Sequence, residues 1–175
     1  NDTATTEIYT LSLHDALPIY MVGMTCPELG GSEYFDMLGA TGNNVPKVNA
    51  EKALALYKAM EKMIHADIPS SIITPSLGGL GVAAAKAAMG GRVGLVLDLA
   101  KVPQEKGMSD LEVLFSESNS RFLISCKPEK SAELEKALAG FPLAKVGRTT
   151  EDRILAVKGA STDIKVKMED MLGRS

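Results

Sequence analysis

Two glycine- and serine-rich stretches carry the residue types best suited to chemistry in this chain. The first, TPSLGGLG at residues 74–81, follows the β-branched run at residues 72–74 and opens an alanine-rich run at residues 82–89. Its glycines therefore lie where a strand turns into a helix. Free backbone N–H groups and the positive end of the helix dipole converge at such a point, which suits a bound phosphate. The alternative is that these glycines only let the helix pack closely on the sheet.

The second stretch, FSESNSR at residues 115–121, adds hydroxyl, carboxylate and guanidinium groups next to a predicted strand. Side chains of these types bind anions or orient the groups that do. Together the two stretches indicate half of a site that handles an anion.

Composition limits the class of protein. The chain has 175 residues, 45% of them hydrophobic and 23% charged, with a formal net charge of −3. This length supports one domain with a real core. The scattered lysines and arginines form no basic block, so nucleic acid is not expected as a partner. No apolar run approaches the ~20 residues that cross a bilayer, so no membrane partner is expected either.

The two cysteines, Cys26 and Cys126, lie far apart in the sequence and show neither metal-ligand nor disulfide-framework spacing. We expect reduced thiols in a cytoplasmic protein, with Cys126 buried at the end of a strand.

The chain divides into four predicted segments. Residues 1–19 resemble translated sequencing-adapter sequence and are expected to be a non-native leader, so His14 and Asp15 receive no role. Residues 20–48 are predicted to end an upstream domain and to link it to an α/β domain at 49–160. Residues 161–175 form a tail.

The predicted fold is α/β, also describable as α+β, with helices packed on a mixed sheet and a ferredoxin-like half over residues 122–158. Strands are predicted at 71–74, 93–97, 122–126, 144–147 and 154–158. Helices are predicted at 33–38, 50–65, 79–89, 109–115, 128–139 and 165–172. In the helix at 50–65, which Asn49 caps, the spacing of apolar residues predicts a buried stripe. Its members are Leu54, Tyr57, Met60, Met63 and Ile64.

Four ordered motifs carry a resemblance to a known family. They are ELGGSEY at 28–34, NNVPKV at 43–48, SLGGLGVA at 76–83 and LFSESNSR at 114–121. In this order they resemble the C-terminal part of the phosphoribosylformylglycinamidine synthase family. The resemblance covers residues 20–158 and implies the C-terminal domain of the aminoimidazole ribonucleotide synthetase-like fold.

The resemblance implies a ligase of purine biosynthesis. Such an enzyme uses ATP and Mg to convert formylglycinamide ribonucleotide to its amidine, with ammonia from a glutaminase subunit or domain. It also implies that N-terminal synthetase domains, including the half that binds ATP, are missing here. The fragment alone is therefore expected to be inactive.

The same resemblance implies a substrate or phosphate site. Its residues are Ser76, Gly78, Gly79, Gly81, Glu117, Ser118 and Arg121. The first four would form a cradle of N–H groups, and Arg121 would supply a fixed positive fork. Glu117 would accept hydrogen bonds from the ligand or from the loop itself. The alternative is that Glu117 and Arg121 simply pair with each other.

One departure from the family pattern concerns the residues before the serine and the double glycine. The family commonly has a His-Asp pair there, whereas this chain has Thr74-Pro75. Neither residue can act as a carboxylate metal ligand or a general base, so no catalytic residue and no metal ligand is assigned. Two other functions stay open: a related kinase or synthetase of the superfamily, and a non-catalytic nucleotide-binding or assembly module of the same fold.

Overall fold

The computed structural model describes residues 16–173. Most of the predicted leader, including His14 and Asp15, lies outside these residues, as does the end of the predicted tail. Within residues 16–173, no helix is long and apolar enough to cross a membrane.

A seven-stranded mixed sheet forms the centre of the molecule. Its strands are β1 Pro18–Val22, β2 Pro69–Ile73, β3 Gly94–Asp98, β4 Phe122–Cys126, β5 Leu143–Thr150, β6 Ile154–Lys158 and β7 Asp163–Lys167. They lie in the order β2-β4-β1-β5-β3-β6-β7. β3 and β6 pair in parallel, and the other neighbours pair antiparallel.

Within the described residues 16–173, six α-helices accompany the sheet: α1 Glu33–Met37, α2 Ala50–His65, α3 Gly79–Gly91, α4 Asp110–Phe115, α5 Ser131–Ala137 and α6 Met168–Leu172. Side chains of Ser32, Asn49 and Ser109 accept hydrogen bonds from N–H groups in the first turns of α1, α2 and α4. Such caps satisfy donors that the helix itself leaves free.

The core is divided between the two faces of the sheet. Because side chains alternate along a strand, Ile19 and Met21 of β1 point into one cluster, and Tyr20 and Val22 into the other. The first cluster, on what we call face 1, contains apolar residues of α3 and α4. The second, on face 2, contains those of α2 and α5. The molecule therefore has helices on both faces of a mixed sheet, which confirms the predicted fold class.

The predicted and observed elements agree closely in the middle of the chain. β4, β6 and α2 have the bounds that the sequence predicted. The end of the chain differs, because residues 163–167 form β7 before α6 begins at Met168. Ile164 pairs with Val157 and Val166 with Leu155. Apolar and charged side chains alternate along residues 163–167, and this period of two is typical of a strand. The helix predicted at 165–172 therefore begins three residues later than expected, at Met168.

The N-terminal boundary also differs from the prediction. Pro18–Val22, which spans the predicted end of the leader and the start of an upstream domain, forms β1 in the middle of the sheet, between β4 and β5. Met21 and Val22 are fully buried. We therefore place this segment in the same domain as the other strands, because its backbone groups pair with β4 and β5 and its side chains are buried there.

The buried stripe of α2 is rotated relative to the predicted one. Its buried residues are Ala53, Leu56, Met60 and Met63. Leu54, Tyr57 and Ile64, which the spacing placed inside, are about half exposed. Two apolar stripes run along this helix, and the spacing alone does not say which of them faces the sheet.

Candidate anion site at the glycine loop

The glycine loop, residues 76–81, connects β2 to α3 in a conformation that needs glycine. Gly78 has a φ of +78° and Gly79 a φ of +63°, a region that residues with a Cβ rarely adopt. A Cβ on Gly79 would also lie 2.6 Å from the Ser116 carbonyl oxygen and 2.8 Å from that of Leu114. The loop therefore turns sharply while packing against the end of α4.

Two N–H groups of the loop are already satisfied within the chain. The Gly79 N–H donates to the Ser76 carbonyl oxygen at 2.8 Å, and the Gly78 N–H donates to Glu117 Oε1 at 2.8 Å. The next two donors, the N–H groups of Leu80 and Gly81, have no acceptor among residues 16–173. The sequence implied a cradle that includes the N–H groups of Gly78 and Gly79, but these two are not available to a ligand. The free N–H groups are those of Leu80 and Gly81, in the first turn of α3.

Glu117 links the glycine loop to α1. The same Oε1 that accepts from Gly78 also accepts from the Glu33 N–H at 3.0 Å. One carboxylate oxygen thereby satisfies donors at the starts of two helices, where negative charge is favourable. Of the roles open for Glu117, the structure shows hydrogen bonding to the loop itself.

Arg121 lies beneath the loop and points inward, which corrects the expected role of a positive fork at the site. It is fully buried. Its guanidinium donates to the carbonyl oxygens of Ser118 at 2.9 Å and Ser116 at 2.6 Å, and to Thr25 Oγ1 at 3.1 Å. A buried guanidinium needs such acceptors, and here they are the backbone of its own stretch.

Arg121 makes no ion pair with Glu117 within the described part of the chain, so their predicted pairing is also not observed. Burial lowers the pKa of Arg121 to about 10, and the nearby groups Glu28, Cys26 and Glu117 oppose this shift. The side chain therefore remains charged near neutral pH.

Ser118 also lies below the surface. Its hydroxyl accepts from the Cys26 N–H at 3.0 Å and shares a 3.0 Å hydrogen bond with the Ser116 hydroxyl. Ser116 in turn donates to the Cys26 carbonyl oxygen at 2.6 Å. Burial raises the pKa of the Cys26 thiol to about 11, and the carboxylates of Glu105 and Glu28 add to this shift. These hydroxyls hold the two segments together and are not free to meet a ligand.

The four sequence motifs meet at this place. Glu28 of the first motif accepts from the Lys47 N–H of the second at 3.1 Å. The first motif reaches the fourth through Glu33 and Glu117, and the fourth reaches the third through Glu117 and Gly78. Glu117 is thus the residue at which three motifs join.

The structure brings Ser76, Gly78, Gly79, Gly81 and Glu117 together and sets Ser118 and Arg121 below them. Sequence reasoning missed Thr25, which binds Arg121, and Glu33, whose N–H contacts Glu117. Glu33 lies in a motif that the resemblance had singled out, whereas Thr25 had no sequence signal. Among residues 16–173, no group of three or more His, Cys, Asp or Glu side chains could hold a metal ion.

Comparison with known proteins defines the class of protein. The sequence profile of the family described as AIR synthase related protein, C-terminal domain, matches residues 18–159. The chain therefore belongs to this family. The match begins at β1, in agreement with the place of that strand in the sheet.

The relatives with similar sequences are subunits of one enzyme. The chain is 39% identical over 135 residues to the phosphoribosylformylglycinamidine synthase subunit PurL of Thermococcus gammatolerans. It is 38% identical over 142 residues to that of Thermococcus kodakarensis. These matches cover 77% and 81% of this chain but only 18% and 20% of the two relatives. The chain thus spans about a fifth of the length of the relatives that it matches.

Solved structures share the fold. A Thermotoga maritima PurL complexed with FGAR superimposes with a TM-score of 0.77 at 19% identity, covering 90% of this chain and 28% of that one. The hydrogenase maturation protein HypE superimposes with a TM-score of 0.64 at 13% identity, covering 88% of this chain and 53% of HypE. At these identities the comparison concerns the fold alone.

Proposed function

We propose that this chain works as the C-terminal part of a phosphoribosylformylglycinamidine synthase. The complete enzyme would use ATP to convert formylglycinamide ribonucleotide and glutamine-derived ammonia to formylglycinamidine ribonucleotide, in purine biosynthesis. The observation that carries this proposal is the 39% identity over 135 residues to a PurL subunit. The meeting of the four motifs, three of them at Glu117 and the second through Glu28, supports it, because a shared site explains why widely separated motifs occur together.

The part played by this chain would be to hold a phosphate group at the first turn of α3. The Leu80 and Gly81 N–H groups lack acceptors in the described part of the chain, and α3 has 13 residues. Free donors at the start of a helix of this length favour an anion. Ser76 is exposed beside them and could donate its hydroxyl. Gly78 and Gly79 would shape the loop, while Glu117, Ser118 and Arg121 would position it from below.

The other requirements of the reaction would be met outside this chain. We propose that ATP and Mg bind chiefly in the N-terminal synthetase domains and that a glutaminase subunit or domain supplies ammonia. PurL complexes with ATP and with FGAR, and an assembly described as PurLQS, are known for Thermotoga maritima. The reaction requires activation of an amide oxygen by phosphoryl transfer, and positioned donors stabilise the charge that develops. A cytoplasmic location would fit such an enzyme.

Fragment complementation tests this function. A Thermococcus gammatolerans PurL lacking the segment that matches this chain would be mixed with the 175-residue chain. Substrate-dependent ADP release would then be measured with ammonia as the nitrogen source. We expect turnover from the mixture and none from either part alone. The positive control is the relative's own missing segment; if it restores turnover and this chain does not, the proposal is wrong.

A second function, a non-catalytic module that only holds a nucleotide or assists assembly, has specific support. Thr74-Pro75 supplies no ionisable side chain before the loop, and Glu117 already occupies the Gly78 N–H. The two functions differ in the effect of Ser76→Asp, which sets a negative charge beside the free N–H groups. A large loss of turnover in the reconstituted enzyme supports phosphate binding during the reaction. Unchanged turnover, equal to that of the control Ser70→Asp, supports the module.

A further inference from the structure

A basic cavity lies on face 2 of the sheet, away from the glycine loop. The helices of face 2, α2 and α5, pack on the half of the sheet that contains β1 and β4. Val96 of β3 and Ala156 of β6 belong to neither core cluster. This part of face 2 is thus left uncovered by the helices among residues 16–173. The glycine loop belongs to α3, which packs on face 1.

A β-bulge in β5 directs two cationic side chains to this uncovered surface. Ile19 pairs with Gly147 and Tyr20 with Lys145, so Val146 is an extra residue in β5. Lys145 therefore shares a face with Tyr20. Arg148 pairs with Val96, on the same face. Without the bulge, residues 145 and 148 would point to opposite faces.

The bulge also depends on Gly147, the residue that follows the extra Val146. A Cβ on Gly147 would collide with the Val96 carbonyl oxygen. Only glycine lets β5 approach β3 this closely, so the local geometry that aligns Lys145 and Arg148 is specified by the sequence.

A third cation, Lys158, lies on the same part of face 2. Lys158 pairs with Asp98 across the parallel strands β6 and β3, so both side chains point to face 2. Asp98 is already engaged, because it accepts from the Ala100 N–H at 3.1 Å and lies 3.3 Å from Lys101 Nζ. Lys145, Arg148 and Lys158 have no carboxylate within ion-pair distance among the described residues.

These three cations line a cavity of about 610 Å³, together with the ion pair of Lys101 and Asp98. Pro18, Val96 and Gly159 contribute to its walls, and no aromatic residue lines it. The volume is typical of a site for a small molecule. Aromatic platforms that stack bases are absent from this lining, which argues against single-stranded nucleic acid.

We propose that this cavity binds a small multivalent anion, of the class that carries two or more phosphate groups. Unpaired cations grouped in a chain whose net charge is −3 repel one another, and a multivalent anion removes that repulsion. Arg148 can bind two oxygens of one phosphate at once, while the lysines act as point charges. The proposal does not depend on the function of the glycine loop.

Titration of the 175-residue chain with inorganic triphosphate tests this site. Calorimetry gives the affinity, and NMR of the backbone amides gives the location. We expect saturable binding that moves the Gly147 and Gly159 amide signals and leaves those of Leu80 and Gly81 in place. ATP should bind with an affinity within about threefold of that of triphosphate, because the phosphates and not the base are recognised. Binding should weaken as salt is raised.

A matched pair of variants separates a site from diffuse attraction. The triple variant Lys145→Gln, Arg148→Gln, Lys158→Gln should weaken triphosphate binding at least about tenfold, the effect of losing ~1.4 kcal/mol or more. The triple variant Lys52→Gln, Lys62→Gln, Lys136→Gln removes the same charge from exposed positions on α2 and α5 and should change binding less than about twofold. All of these side chains are exposed, so both proteins should fold.

Four results would overturn the proposal. The first is no saturable binding by the folded chain, and the second is an equal loss of affinity in both triple variants. The third is movement of the Leu80 and Gly81 signals in place of those at Gly147 and Gly159. Tight binding of an oligonucleotide with none of triphosphate would equally exclude a small anion as the ligand.

Discussion

Arg121 shows how the role of a single residue depends on its direction. Its type and its place beside a glycine loop indicate anion binding, yet it is fully buried and donates to backbone and to Thr25. Its guanidinium donates to three acceptors within the chain and so stabilises residues 116–121. Any effect of Arg121 on a bound ligand would therefore be indirect.

Replacing Arg121 tests this structural role. Arg121→Lys retains the charge but cannot reach Thr25, Ser116 and Ser118 together, so we expect the free energy of unfolding to fall by about 3 kcal/mol. Urea unfolding measures the change. The control Arg92→Lys affects an exposed side chain and should leave the stability unchanged. Equal stability of the two variants would contradict the role given to Arg121.

Cys26 offers a test by pH. Its thiol has a pKa of about 11 in place of 9.0, because of burial first and the Glu105 carboxylate next. The thiol thus favours the folded state fully below pH 9, and this stabilisation is lost as the pH rises through 11. In a Cys126→Ser background, alkylation of Cys26 should reach half of its maximal rate near pH 11. Glu105→Gln should move that midpoint to lower pH, and a midpoint near 9 in the unmodified chain would contradict the assignment.

At the scale of elements, the junction of β2 and α3 combines two unusual glycines with a close contact to α4. Gly78 and Gly79 both have positive φ, and Gly79 packs against the carbonyl oxygens of Leu114 and Ser116. The geometry of the loop, and with it the position of the free N–H groups of Leu80 and Gly81, therefore depends on glycine at both positions.

Two alanine substitutions in α3 should have opposite effects. Gly79→Ala adds a Cβ at a φ of +63°, 2.6 Å from a carbonyl oxygen, and should lower the free energy of unfolding by about 3 kcal/mol. Gly90→Ala lies in the same helix with no atom within 4 Å of the added Cβ and should raise it by about 0.5 kcal/mol. Thermal unfolding compares them. A loss in both variants would show that α3 tolerates no added side chain.

At the scale of the whole molecule, one helix carries more apolar surface than the sheet covers. Leu54, Tyr57 and Ile64 of α2 are 54%, 45% and 51% exposed. They recur at spacings of three and seven and so share one stripe of the helix. Apolar stripes of this kind commonly contact another protein surface.

We expect the isolated chain to self-associate through this stripe of α2. Light scattering across a range of concentrations should show an average mass above 18.5 kDa that rises with concentration. Leu54→Lys combined with Ile64→Lys should return the chain to a monomer. Leu111→Lys, at an exposed position on α4, serves as the control and should have no effect. A monomer at all concentrations would contradict the expectation.

Much of the local structure was predictable because it depends on neighbours along the chain. The strand at 122–126, the helix at 50–65 and its Asn49 cap follow from apolar periodicity and capping chemistry, and all three are confirmed. The glycine loop was also located correctly between a strand and a helix. Periodicity could not choose between two apolar stripes of α2, since both satisfy the helical spacing.

The order of residues along the chain was enough to predict the class of fold, the place of the glycine loop and the family. The fold alone showed that Arg121 points inward and that Glu117 joins three motifs. It also showed that β1 lies mid-sheet and that Lys145, Arg148 and Lys158 gather on one face. Each of these facts depends on contacts between residues distant in sequence or on a strand register shifted by one bulge. Spacing along the chain does not encode such contacts, because they arise when the sheet assembles.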